Sequence, residues 1–92
     1  MFKTEIEFNN KKLTVKQGDV FKVASTLEFG GGRTLDAGDV VTVANIAKYP
    51  DGVHFEFSVD WEPGRIETVM KFALEKNLEN NHIDYHGSEY NN

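Results

Sequence analysis

His54, Glu56, Ser58 and Asp60 bring the residue types of a hydrolytic centre into one short segment, at alternate positions. In an extended chain alternate side chains share a face, so all four point the same way. Their spacing then works against catalysis. Same-face neighbours are about 6.6 Å apart along a strand, which puts His54 roughly 13 Å from Ser58. A nucleophile and its base must approach to about 3 Å. Glu56 and Asp60 are equally far apart, beyond the roughly 5–9.5 Å of a glycosidase carboxyl pair. The row reads instead as the wet face of a strand. With Glu62 it offers an acidic surface to a basic partner.

Two other clusters contain residue types with chemistry. His82-x-Asp84-x-His86 sends three ligand types to one side of an extended chain, but no fourth ligand stands nearby to complete a structural metal site. No metal or cofactor is assigned. Gly30-Gly31-Gly32-Arg33-Thr34 lacks both the Walker spacing and the dinucleotide spacing of glycines, so it is not read as a nucleotide site. Three glycines in a row suit a flexible loop, and flanking Phe29 and Arg33 are the residue types that anchor binding surfaces.

The elements that carry these residues are set by hydrophobic period. Phe2, Ile6 and Phe8 share one parity and charged residues the other, which predicts a first strand. Asn9 to Lys12 should turn the chain into Leu13-Thr14-Val15. Val20 to Phe29 alternates again. Pro50-Asp51-Gly52 predicts a tight hairpin, with residues 40–49 paired to 53–61. There Val53, Phe55, Phe57, Val59 and Trp61 point inward, with Trp61 as the joint between sheet and helix. Ile66, Val69, Met70, Ala73 and Leu74 then keep to a helical stripe, which predicts one helix over 63–78. Ile83 and Tyr85 suit a short last strand. The domain spans 1–80, and the polar tail over 81–92 is expected to be mobile.

Gly18-Asp19-Val20-Phe21-Lys22-Val23-Ala24 and Gly38-Asp39-Val40-Val41-Thr42-Val43-Ala44 repeat the pattern G-D-V-x-x-V-A at a spacing of 20 residues. Each unit is a glycine turn, an Asp that closes it, and a strand. The expected class is therefore α+β and mainly β: a small antiparallel SH3-like barrel, or a curled sheet, with one C-terminal helix. The run Leu35 to Val43 followed by a tight hairpin resembles SH3-like small barrels of the KOW type over about residues 13–61. That resemblance implies RNA or protein binding. Strands followed by a packing helix also resemble the chromo-type arrangement.

Charge narrows the partner. Fifteen acidic and ten basic side chains give −5, with residues 1–48 at +1 and residues 49–92 at −6. An acidic second half repels phosphate and attracts a basic partner. The 92 residues contain no cysteine, which excludes disulfides and thiol chemistry. No apolar run reaches the roughly 18 residues of a membrane span, and no secretory signal is seen, so a cytoplasmic setting is expected. Eight Lys against two Arg, with eight Asn, resembles the accessory proteins of large bacteriophages.

The function expected from these features is non-enzymatic. The protein binds or inhibits another protein, in the concrete form a host protein, through His54, Glu56, Asp60, Glu62, Phe29 and Arg33. The alternative is a KOW-like module binding RNA or DNA through Lys11, Lys12, Lys22 and Arg33.

Overall fold

The computed structural model describes residues 1–88. The chain forms β1 (Lys3–Phe8), β2 (Lys11–Lys16), β3 (Val20–Val23), β4 (Leu27–Glu28), β5 (Thr34–Leu35), β6 (Val40–Tyr49), β7 (Gly52–Val59) and β8 (Glu62–Met70). It ends in α1 (Lys71–Glu79) and β9 (Ile83–Gly87). Five strands make an antiparallel sheet in the order β8-β7-β6-β3-β9, while β1-β2 and β4-β5 form two-stranded ladders. The large sheet keeps two edges, β8 and β9, so the fold is α+β and open, not a closed barrel.

The sequence signals for the hairpins are realised locally. Asn9 and Asn10 both take positive φ, the conformation of a two-residue turn matched to strand twist. Tyr49 pairs with Gly52 across Pro50-Asp51, and Gly52 supplies the positive φ. Val20 to Phe29 is two strands rather than one, because Ala24 and Ser25 turn aside and donate their N–H groups to the carbonyl of His82.

The repeated G-D-V-x-x-V-A segments are related by a local two-fold. β3 and β6 pair with Phe21 opposite Val41, and the bonds at one end of the pair have counterparts at the other. Val23 N–H donates to Asp39 O and Val43 N–H to Asp19 O, both at 2.8 Å. Gly38 N–H donates to Val23 O, and Gly18 N–H to Val43 O. Each Asp closes its own turn: Asp19 Oδ2 accepts from Lys16 N–H at 2.9 Å, and Asp39 Oδ2 from Asp36 N–H at 2.7 Å. Gly18 and Gly38 sit at φ +95° and +97°, with open space where a Cβ would stand. Replacement by Ala at either position therefore incurs backbone strain alone. Gly18→Ala and Gly38→Ala are expected to cost about 1–2 kcal/mol each in urea unfolding, and about equally. Unequal costs, several-fold apart, would mean that the two turns are not equivalent.

Phe21 lies at the centre of this pair and is fully buried, with ring centroids 5.4 Å from Phe57 and 5.2 Å from Tyr85, both edge-on. The core around it combines Val23, Val41, Val43, Phe55 and Phe57 with Ile6 and Val15 of the first hairpin and Leu74 and Leu78 of α1. β9 completes the sheet beside β3, with Tyr85 opposite Phe21. Residues 83–87 are thus ordered by a ladder, which corrects the expectation of a mobile tail from 81 onward. Residues 89–92 of that tail lie outside the described residues.

Tyr85 also donates its hydroxyl to the buried Asp19 at 2.7 Å. Burial, and then the hydrogen bond to Asp19, push its pKa up to about 12. A raised folded pKa gives stability that is complete below the unfolded value of about 10 and is lost as pH rises toward 12. A tyrosinate absorbance step near pH 12 is therefore expected, absent from Tyr85→Phe. The loss of stability between pH 10 and 12 should be on the order of 1–2 kcal/mol, discounted for partial exposure.

The helix is where period misled. It runs only over Lys71–Glu79, and the preceding nine residues, Glu62–Met70, are strand β8. In β8 the inward positions are Arg65, Glu67 and Val69, and the outward ones Ile66, Thr68 and Met70. Charged residues inside and apolar ones outside invert the usual alternation. The stripe Ile66, Val69, Met70, Ala73, Leu74 arises from a strand–helix boundary, not from one helix face. Pro63 is tolerated because β8 is an edge strand and needs no N–H there. Trp61 is likewise not an inward joint: the ladder shifts register at Val59, and Trp61 sits in the following turn, 59% exposed.

Candidate protein-binding face

Glu67 is the only inward-facing charge of β8 that is fully buried, and it is held from two sides. Arg33 reaches it through Nε at 2.9 Å and Nη2 at 3.3 Å, and Arg65 through Nε at 2.8 Å. Arg65 also donates to Thr34 O at 2.8 Å and to Glu62 at 3.3 Å. Burial by itself pushes the Glu67 carboxyl up and is the largest single influence. The hydrogen bonds from Arg33 and Arg65 together overcome it and hold the carboxyl below its ordinary range. The hydrogen bond to Glu67 chiefly raises the pKa of Arg65, against the opposing effect of its own desolvation. This cluster ties the β4-β5 hairpin to β8, and it is a structural device.

Arg33 is therefore engaged with Glu67, although half its side chain is in solvent. The loop before it is a single 3-10 turn closed by Phe29 N–H on Arg33 O. Phe29 packs half-buried against the core. Neither belongs to the surface of β7 on which the other four residues expected to bind a partner were placed.

Three of the four, His54, Glu56 and Asp60, lie on the outer side of β7 and its following turn, whereas Glu62 stands opposite inward-facing Val59 and bonds to Arg65. His54 and Glu56 point outward from β7, with His54 opposite Met70 and Glu56 opposite Thr68. His54 Nε2 lies 3.1 Å from Asp51, and its ring centroid lies 4.6 Å from that of Tyr49, the two planes tilted by 50°. Ser58 donates to Thr42 O, so it does not approach His54. Asp60 accepts from Thr42 Oγ1, and Glu62 from Arg65, on either side of Trp61. Glu56 takes part in no ion pair among the described residues.

The structure adds what the sequence left hidden. Tyr49, Trp61, Ile66, Met70 and Phe72 are all exposed large hydrophobics, and all stand on β6 through the start of α1. Ile66 faces Ser58 across the ladder and Met70 faces His54, so the apolar side chains interleave with the acidic row. Apolar patches rimmed by polar groups mark association surfaces on soluble proteins. Only knowledge that 62–70 is a strand reveals this, because the outward parity of Ile66 and Met70 is invisible in a helical reading.

The basic residues of the alternative reading are scattered by comparison. Lys11 and Lys12 sit on the β1-β2 hairpin, Lys12 opposite Glu7. Lys22 lies on β3 opposite Asp84 of β9. Among the described residues no group of three His, Cys, Asp or Glu side chains converges on a metal position, His82 and His86 included. No helix among them is long and apolar enough to cross a membrane.

Comparison of the chain with protein-family models, with curated proteins and with solved structures finds no match.

Proposed function

We propose that this protein is a non-enzymatic binding module that captures another protein on the outer face of β7 and β8. The observation that carries this reading is the interleaving of exposed Ile66 and Met70 with His54 and Glu56 across the β7-β8 ladder, with Tyr49 against His54 at one end and Asp60 against Thr42 at the other. Aromatic and Met side chains supply buried contact area in an interface, and a charged rim steers and orients the partner. The acidic row selects a partner with a basic surface. In its most concrete form the partner is a host protein that this small acidic chain blocks. Its size, charge and Lys- and Asn-rich composition are in keeping with a bacteriophage accessory protein.

A pull-down from host lysate with nuclease present tests the reading. The wild-type chain should retain a protein that Glu56→Lys/Asp60→Lys loses by at least tenfold, while Lys12→Glu/Lys22→Glu keeps it. Loss of capture on nuclease treatment, or on changing Lys12 and Lys22 alone, would instead favour nucleic-acid binding through the lysines.

A further inference from the structure

A groove of about 540 Å³ opens beside this face, between β4, the C-terminal end of β8 and α1. Its size is that of a site for a ligand or short peptide segment. One wall is β8 at Thr68–Met70, which has β7 on one side and no strand on the other. The opposite wall is β4 with Leu27, followed by Phe29, and β4 has only β5 as a neighbour. Edge strands leave a row of N–H and C=O groups unpaired, a template for an added strand. Farther along β8, the Arg33–Glu67–Arg65 cluster holds the β4-β5 hairpin against residues 65–67. The open stretch therefore begins where that cover ends. Glu28 is the one charged residue lining the groove, and it joins no ion pair among the described residues.

We infer that the groove takes an extended peptide segment of a partner protein, added as a strand to the edge of β8, with a Lys or Arg of that segment paired to Glu28. Main-chain bonds to Thr68–Met70 supply register, and the apolar walls select alternate side chains. Glu28 favours a basic residue over an acidic one. The site shares only Thr68 and Met70 with the outer face. A second copy pairing β8 with β8 needs the 65–67 stretch that the β4-β5 hairpin already occupies.

The probe is an acetylated and amidated heptapeptide of alternating Val and Thr with a central Lys, compared with its central-Glu and central-Pro versions. Amide NMR and hydrogen exchange on the whole chain read the outcome. The Lys peptide should shift and protect the amides of Thr68–Met70 and Leu27–Glu28. The Glu and Pro versions should bind at least tenfold more weakly, the Pro version because it cannot extend the ladder. Glu28→Lys should reverse the Lys-over-Glu preference. Equal binding of the Lys and Pro peptides, or no shifts at millimolar Lys peptide, would overturn the inference. So would protection of Thr68–Met70 that rises with protein concentration alone, which would identify a dimer edge. Shifts confined to His54, Glu56 and Ile66 would overturn it while leaving the outer-face reading standing.

Discussion

Phe21→Ala is expected to destabilise the domain by about 3–5 kcal/mol, the range for emptying a buried aromatic site. The ring is fully buried and makes edge-on contacts with both Phe57 and Tyr85. Each such contact adds roughly 0.5–1.5 kcal/mol beyond area burial. Few positions can collapse to fill the space, because Phe21 lies at the centre of the antiparallel pair of G-D-V segments, whose backbones are fixed by reciprocal hydrogen bonds. A domain of this length is stable by roughly 5–14 kcal/mol, so the variant should lose about 15–30 °C in Tm, or unfold at ambient temperature. Phe21→Leu should be far milder, about 1–1.5 kcal/mol. Thermal and urea unfolding decide it. A cost below about 1.5 kcal/mol for the Ala variant would mean that the paired β3 and β6 are not the centre of the core.

Glu67→Ala should be nearly as damaging, at about 3 kcal/mol, but for an electrostatic reason. Removing one member of a buried ion cluster strands the others. Arg65, with its side chain 11% exposed, loses its best partner, whereas Arg33 is 53% exposed and can turn to water. The cost therefore falls at the low end of the range for broken buried pairs. Replacing Arg65 and Glu67 together by Met and Leu should restore stability to within about 1 kcal/mol of wild type, since an apolar pair needs no neutralisation. The pH dependence has a fixed sign. Glu67 is held below its ordinary pKa, so its stabilisation is complete above about pH 4.5 and is lost as pH falls through the folded value. Glu67→Ala should flatten that acid limb. An unchanged acid limb together with a cost under about 1 kcal/mol would show that the cluster does not hold β4-β5 to β8.

The same cluster accounts for the part of the fold that local pattern concealed. The 40–49/53–61 hairpin was legible because its inward residues Phe55, Phe57 and Val59 are apolar and its turn carries Pro-Asp-Gly. The repeated G-D-V units were legible because each turn closes locally, through an Asp three residues from the N–H that donates to it. β8 was not legible. Its buried slot is filled by Glu67, made tolerable by Arg33, which lies 34 residues earlier in the chain. No local pattern announces a partner at that separation. The acidic part of the candidate face could be read as alternation along β7, but its apolar half, Ile66 and Met70, became visible only with β8 assigned. Arg33 has the residue type of a surface anchor, and half its side chain is exposed. Its partner turned out to be internal.

That the outer face of β7 and β8 holds a protein partner is tested most directly by site-specific photo-crosslinking in host lysate. A photo-crosslinking amino acid replaces Ile66 in one variant and Lys12 in another; both native side chains are exposed, so neither change disturbs the core. Position 66 should give a discrete protein adduct, resistant to nuclease and lost when Glu56→Lys/Asp60→Lys is added, and position 12 should give none. Adducts from position 12 alone, or nucleic-acid adducts in place of protein, would contradict a protein-binding role for this face.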